Sequence, residues 1–270
     1  MQKYVVLEKK VGQTPLQCSD VYKEAHPELK GVSMTYAGRL DPMASGKLLI
    51  LLGEECKNQT AYHGLDKEYE FEVLFGVRSD TADVLGRLTS CDSTTISTAD
   101  CRAVTKKLIG EIELPYPHFS SKTVQGKPLH TWTLEGRINE IEIPTKLSII
   151  HSLKCTDLLT QTRKEAHQYA TAKIETIPKV TELRKAIGND FRRVDVRKDW
   201  KLFKETGALE DIFYIAKFTC IASSGTYMRT LGEVIAKEVG TCGLAYSIHR
   251  TKIGTYKKIP LLGGFWIKEF

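Results

Sequence analysis

The sequence predicts an α+β fold, a mixed and mostly antiparallel central sheet flanked by helices. Two observations point there. Residues 67–75 alternate with a period of two, with Tyr69, Phe71, Val73 and Phe75 on one side and Glu68, Glu70 and Glu72 on the other. That is the pattern of a strand with one buried and one wet face, whereas strands of a doubly wound parallel sheet read as continuous apolar runs. Helix start and stop signals also fall between the strand-like stretches, near residues 16–25, 97–110 and 226–240.

Taken in order, residues 3–9 read as a strand, followed by a Gly12-Gln13-Thr14-Pro15 turn and a helix-like stretch over 16–25. Residues 47–52 form a short apolar strand ending at Gly53, ahead of the alternating strand 67–75. Ser97-Thr98-Ala99-Asp100 has the form of a helix N-terminus, with Val104, Leu108 and Ile109 as its apolar stripe before Gly110. Strands are expected over 146–155, 167–175 and 212–221. Val180, Leu183 and Ile187 ahead of Gly188 predict a short helix and its C-cap. A helix over 226–239 would turn Leu231, Val234, Ile235 and Val239 inward, and a last strand covers 246–256. The expected organisation is one catalytic domain over 1–256 with an insert at about 155–212. A short tail, 257–270, leaves no room for a C-terminal RNA-binding domain.

With 270 residues, 41% hydrophobic and 27% charged, the chain has the make-up of a folded enzyme-sized protein. The longest strictly apolar run, Leu48 to Leu52, is far short of the roughly 18 residues of a membrane span, and no export signal is visible. Seven scattered cysteines without a C-x-x-C pair predict no zinc site and no disulfide framework, hence a reducing, cytoplasmic setting. The net charge of +6 is concentrated in the window 151–205, where 13 basic residues face 8 acidic ones. There Arg184-Lys185, Arg192-Arg193, Arg197-Lys198, Lys201 and Lys204 are interleaved with Phe191, Trp200 and Phe203. Such a segment suits a phosphate backbone, and equally a solvated helix face with a few core aromatics.

Spacing removes several familiar sites. Gly38 and Gly46-Lys47 are too far apart and wrongly followed for a nucleotide phosphate loop, and no G-x-G-x-x-G, H-E-x-x-H or G-x-S-x-G is present. The seven histidines lack ligand spacing, so neither a metal nor a nucleotide cofactor is expected. Asn58-Gln59-Thr60 fits the glycosylation pattern but has no export signal to accompany it.

What remains is Tyr36-Ala37-Gly38-Arg39-Leu40-Asp41-Pro42-Met43-Ala44-Ser45-Gly46-Lys47-Leu48. It places an aspartate on a short loop feeding an apolar strand, either as a reactive carboxylate or as an ordinary Asp-Pro turn. The longer string resembles the signature of TruB-type tRNA pseudouridine synthases. Three further stretches are similar to that family's motifs in the same order: Lys67-Glu68-Tyr69-Glu70-Phe71 with Gly76-Val77-Arg78-Ser79-Asp80-Thr81-Ala82-Asp83, Leu114-Pro115-Tyr116-Pro117-His118-Phe119-Ser120-Ser121-Lys122 with Gly126, and Ser224-Gly225-Thr226-Tyr227-Met228-Arg229-Thr230-Leu231. Lys9-Lys10-Val11-Gly12-Gln13-Thr14 looks like a variant of its N-terminal turn, which makes Lys9 a binding-site candidate. The resemblance spans about 1–150 and 216–256.

The resemblance implies a pseudouridine-synthase fold and cofactor-free isomerisation of a tRNA T-loop uridine, position 55, after the nucleotide is flipped from its stack. It makes Asp41 the catalytic carboxylate and Arg229 its ionic partner, with Asp83 touching the same arginine. Tyr69 becomes the residue that stacks on the uracil, although its face also suits plain core packing. Arg229 falls in the first turn of its helix, where the macrodipole disfavours a cation, so an anion is expected nearby; Glu233 at i+4 is the ordinary alternative. Met228 and Ile248 are expected to line the pocket or to be core.

One departure stands out. Tyr36 occupies the position of a family histidine that fills the space left by the flipped base, and Ala37 replaces a threonine. Tyr36 is therefore expected to stack there, or to shift substrate preference. The basic window, with Arg192, Arg193, Arg197 and Lys198, is expected to hold the T-arm and elbow of the tRNA by phosphate contacts. The expected protein is a monomer. A catalytically silent RNA-binding module of the same fold, and a synthase acting on another RNA, are the alternatives.

Overall fold

The computed structural model describes residues 2–91, 94–179, 192–259 and 263–270. The chain begins with β1 (Tyr4–Lys9), α1 (Pro15–Ala25), β2 (Met34–Tyr36), β3 (Ser45–Leu52) and β4 (Asp66–Phe75). A hairpin of β5 (Val77–Ser79) and β6 (Leu88–Ser90) leads to α2 (Thr98–Lys107), β7 (Gly110–Pro115), the two-residue strands β8 (Thr123–Val124) and β9 (Lys127–Pro128), and α3 (Leu129–Leu134). The second half comprises β10 (Thr145–Thr162), α4 (Arg163–Thr176), α5 (Arg193–Glu205), β11 (Ile212–Ala222), α6 (Met228–Glu238), β12 (Gly243–Ile259) and β13 (Gly263–Glu269).

One nine-stranded sheet carries the fold, in the order β1-β3-β12-β4-β11-β10-β7, with β2 added to β3 and β13 to β12. Every pairing in it is antiparallel except β3 with β12, so the sheet is mixed and mostly antiparallel, as the alternation of 67–75 predicts. In β4 the glutamates are exposed or half-buried while Tyr69, Phe71 and Val73 are buried, and Phe71 stacks on Phe218 of β11 at 5.2 Å. Helix α2 starts as expected, with a reciprocal cap between Ser97 and Asp100. Helix α6 buries Leu231 and Ile235 against the sheet, with Val234 and Val239 partly buried beside them.

Several expectations are corrected. Residues 167–175 are not a strand but most of α4, because Ala166, Ala170 and Ile174 recur every four residues on a fully buried stripe and Thr162 and Glu165 cap the start. Ile109 is exposed, since the helix ends before it and the chain turns into β7. The tail 257–270 extends β12 and then returns as β13, paired from Gly254 to Ile259. Cys91 and Cys242 form a disulfide across 151 residues, so the expectation of unpaired cysteines fails. Topology, not a local motif, brings the end of the β5–β6 hairpin beside the start of β12. The helix expected around Val180, Leu183, Ile187 and Gly188, and the residues Arg184, Lys185 and Phe191, lie outside the described residues. Among the described residues no helix is long and apolar enough to cross a membrane.

Among the described residues between β10 and β11, two helices, α4 and α5, pack against the rest of the fold. Trp200 of α5 is fully buried and donates its ring N–H to Val84 O at 3.0 Å, while Arg163 of α4 donates to Asp211 and to Phe203 O. Asp199 accepts from Arg87 Nε at 2.6 Å and from Leu88 N at 3.0 Å. These contacts seat α5 on the β5–β6 hairpin, which carries Asp83.

Candidate active site

The Asp41 loop hangs between β2 and β3. Gly38 and Gly46 both have positive φ, +100° and +111°, and a side chain on Gly46 would collide with the backbone of Arg250. Leu40 and Met43 are buried on either side, and Ala44 N closes a turn onto Asp41 O at 3.0 Å. With its neighbours thus anchored, Asp41 keeps 39% of its side chain exposed.

Arg229 reaches this carboxylate from the first turn of α6, 188 residues away. Its Nε donates to Asp41 Oδ2 at 2.8 Å, one Nη donates to Thr81 O at 2.7 Å, and the other to Phe119 O at 3.3 Å. Asp83 Oδ2 lies 3.7 Å from the same Nε, and both side chains of that pair are about 95% buried. Two carboxylates therefore compensate a cation at the unfavourable end of a helix. Asp83 is itself fixed by the Thr81 hydroxyl at 2.7 Å and Leu85 N at 2.9 Å. Burial pushes its carboxyl up, with Arg229 and the Thr81 hydrogen bond opposing.

Asp41, Tyr69, Met228, Arg229 and Ile248 line one cleft of about 710 Å³, together with Phe119, His130 and Tyr227. The register of β4 with β12 sets Tyr69 opposite Arg250 and Phe71 opposite Ile248. Tyr69 is buried, and desolvation raises its phenol above the ordinary value. Asp83 stands behind Arg229 and does not line the cleft.

A model of the TruB family pseudouridylate synthase N-terminal domain matches residues 28–176, more than half of the chain. The chain belongs to the TruB family. It is 27% identical over 256 residues to tRNA pseudouridine synthase B of Caldicellulosiruptor saccharolyticus, covering 95% of this chain and 69% of that protein. It is 28% identical over 234 residues to tRNA pseudouridine synthase 4 of Saccharomyces cerevisiae, covering 77% of this chain and 57% of that one. Its fold is shared with a chain in the crystal structure of a Cbf5-Nop10-Gar1 complex, at a TM-score of 0.54 and 14% identity, covering 93% of this chain and 49% of that chain. This TruB-family chain thus spans about half to two-thirds of the length of these relatives.

The remaining candidates are placed elsewhere. Tyr36 does not line the Asp41 cleft; it faces an adjoining cavity of about 840 Å³, and the two share Gly38, Arg39, Lys67 and Ser224. Lys9 is fully buried behind the loop, where its ammonium donates to Lys10 O at 3.0 Å and Gln13 O at 2.8 Å. Burial lowers its pKa to about 8. Of the basic segment, Arg192 pairs with Asp80 at 2.5 Å and covers the Phe119 ring at 4.3 Å, Arg197 pairs with Glu175 at 2.7 Å, and buried Arg193 donates to Ile177 O. Lys198 faces outward.

Two functional candidates were missed. Lys67 is buried where the two cavities meet, donating to Leu65 O at 2.5 Å and Ser224 Oγ at 3.1 Å, and burial lowers its pKa to about 8. Arg250 lies under the Asp41 loop. Its signal in the sequence was its place two residues after Ile248, on the same face of a strand.

The arrangement offers a partly exposed carboxylate oriented by a buried guanidinium, with an aromatic ring and the apolar side chains of Met228 and Ile248 lining the same cleft. Such a site favours attack on, or charge stabilisation at, an electrophilic carbon of a flat ligand.

Proposed function

We propose that this chain converts a uridine in tRNA, at position 55 of the T-loop, to pseudouridine. The observation that carries the reading is the 2.8 Å ion pair of Asp41 and Arg229 in a cleft walled by Tyr69, within a chain of the TruB family. Names borne by its relatives, tRNA pseudouridine synthases of bacteria and yeast, support the substrate class.

The chemistry follows from these side chains. The target nucleotide must leave its stack, since the cleft cannot receive a base still inside a folded RNA arm. Asp41 then assists rupture of the bond between C1′ and N1. After the uracil turns, C5 bonds to C1′, the C5 proton leaves, and N1 takes one up, so the product is an isomer and no cofactor is consumed. Tyr69 stacks on the uracil throughout, with Met228 and Ile248 closing the apolar walls. Arg229 holds the carboxylate in place across both bond changes. Tyr36, in the adjoining cavity, is the aromatic available to the displaced neighbouring stack. Lys198 and Lys201, exposed on α5, are proposed to hold the T-arm and elbow through phosphates.

The test is tritium release from an unmodified tRNA transcript carrying C5-labelled uridine. We expect release by the wild type and a loss of at least about 1,000-fold with Asp41→Asn, the scale at which a covalent or charge-stabilising carboxylate contributes. No release by the wild type overturns the enzymatic reading, and equal release by both proteins overturns the role of Asp41.

A further inference from the structure

Arg250 is 1% exposed on the inward face of β12, where Tyr246, Ile248 and Arg250 are buried at alternate positions. An arginine so placed must find acceptors within the protein. Its Nε donates to Lys47 O at 2.7 Å, one Nη to Arg39 O at 3.2 Å, and the other reaches Gly38 O at 3.5 Å. Two of these carbonyls open the Asp41 loop, and the third belongs to β3 just beyond its far end. The parallel register sets Arg250 beside Gly46, where no side chain could fit, and the antiparallel register on its other side sets it opposite Tyr69. One residue therefore touches the loop that presents Asp41, the strand that follows it and the strand that presents Tyr69.

We propose that Arg250 is a positioning residue that locks the Asp41 loop to the Tyr69 strand, fixing the carboxylate and the phenol at the separation a flipped uridine requires. This rests on the pseudouridylation reading. The planar fork of an arginine can serve three acceptors in fixed directions; the single ammonium of a lysine cannot. Arg229 restrains Asp41 from the side of α6, so the carboxylate is held from two directions by guanidinium groups of different duty. The guanidinium of Arg250 also faces the Tyr69 hydroxyl and opposes the rise that burial imposes on the phenol.

The experiment compares Arg250→Lys and Arg250→Met with the wild-type full chain, each checked for cooperative unfolding. Three quantities are read: kcat for tritium release, Kd for the tRNA, and the ¹³Cζ resonance of Tyr69 with its pH titration, assigned through Tyr69→Phe. The expected result for Arg250→Lys is a fall in kcat of about 10- to 100-fold, the cost of a misplaced reacting group. Kd should stay constant, and the Tyr69 signal should move with its titration displaced to higher pH. Arg250→Met should move all of these further in the same sense; should it fail to fold, the lysine variant decides. A folded lysine variant with wild-type kcat overturns the proposal. So does a parallel loss of kcat and tRNA affinity with the Tyr69 signal unmoved. If the wild type releases no tritium, the pseudouridylation reading falls, and the Tyr69 signal alone decides the coupling, upheld if it moves and overturned if it does not.

Discussion

Glu233 is the residue whose position in the sequence misleads most. At i+4 from Arg229 it has the spacing of a surface ion pair, yet Arg229 spends its donors on Asp41, Thr81 and Phe119, and Glu233 is drawn into partial burial on α6. Desolvation raises its carboxyl from 4.5 to about 7, against the attraction of Arg229 and Arg78. Between these two values the folded protein holds a proton the unfolded chain lacks, so stability falls as pH rises from 4.5 to 7. Glu233→Gln should remove that slope. Thermal unfolding at pH 5 and pH 8 is expected to show a variant little changed at pH 5 and more stable by several degrees at pH 8; an equal change at both would refute the assignment. Asp41, Tyr69 and Arg229 stood out in the sequence because each sits in a contiguous motif, and the structure brings all three to one cleft. Arg250 did not, because its one signal, a place two residues after Ile248 on a strand, does not by itself tell a buried arginine from an exposed one.

The helices α4 and α5 show where element-level reading failed. Within 167–175 the eye finds alternating polar and apolar residues, but the stripe that matters is Ala166, Ala170 and Ile174, and alanine carries little weight in a hydrophobic pattern. In α5 the basic residues divide by what they touch: Arg193 is buried on Ile177 O, while Lys198 is exposed. Arg193→Ala is therefore expected to cost about 1–3 kcal/mol of folding stability, the penalty for a buried acceptor left unpaired. Lys198→Ala should change stability by less than about 0.5 kcal/mol, yet reduce the slope of log affinity against log salt by about 1 if it meets a phosphate. Denaturant melts and tRNA binding at several salt concentrations separate the two. The alternating strand β4 and the capped helix α2 were predictable because local pattern and tertiary burial agree in them.

Over the whole molecule, the sheet gathers residues from distant parts of the chain: the Asp41 loop, the Thr81–Asp83 turn, Arg229 on α6 and Arg250 on β12. The Cys91–Cys242 disulfide joins the foot of the β5–β6 hairpin to the residue just before β12, across a sequence separation of 151 residues. No sequence rule announces such a pairing, since it exists only once β12 lies beside the hairpin. Removing it with Cys91→Ser, or by reduction, should lower stability by about 2–4 kcal/mol, measured by denaturant unfolding; a difference near zero would mean the thiols are not paired in solution. The hairpin, α5 seated on it and β12 then frame Arg229, and the frame serves the carboxylate. Primer extension after carbodiimide treatment of an unmodified tRNA transcript tests this most sharply. Wild-type protein should produce a single new stop that reports pseudouridine at T-loop position 55, and Asp41→Asn should produce none; no stop, a stop at another position, or the same stop from both proteins would contradict it.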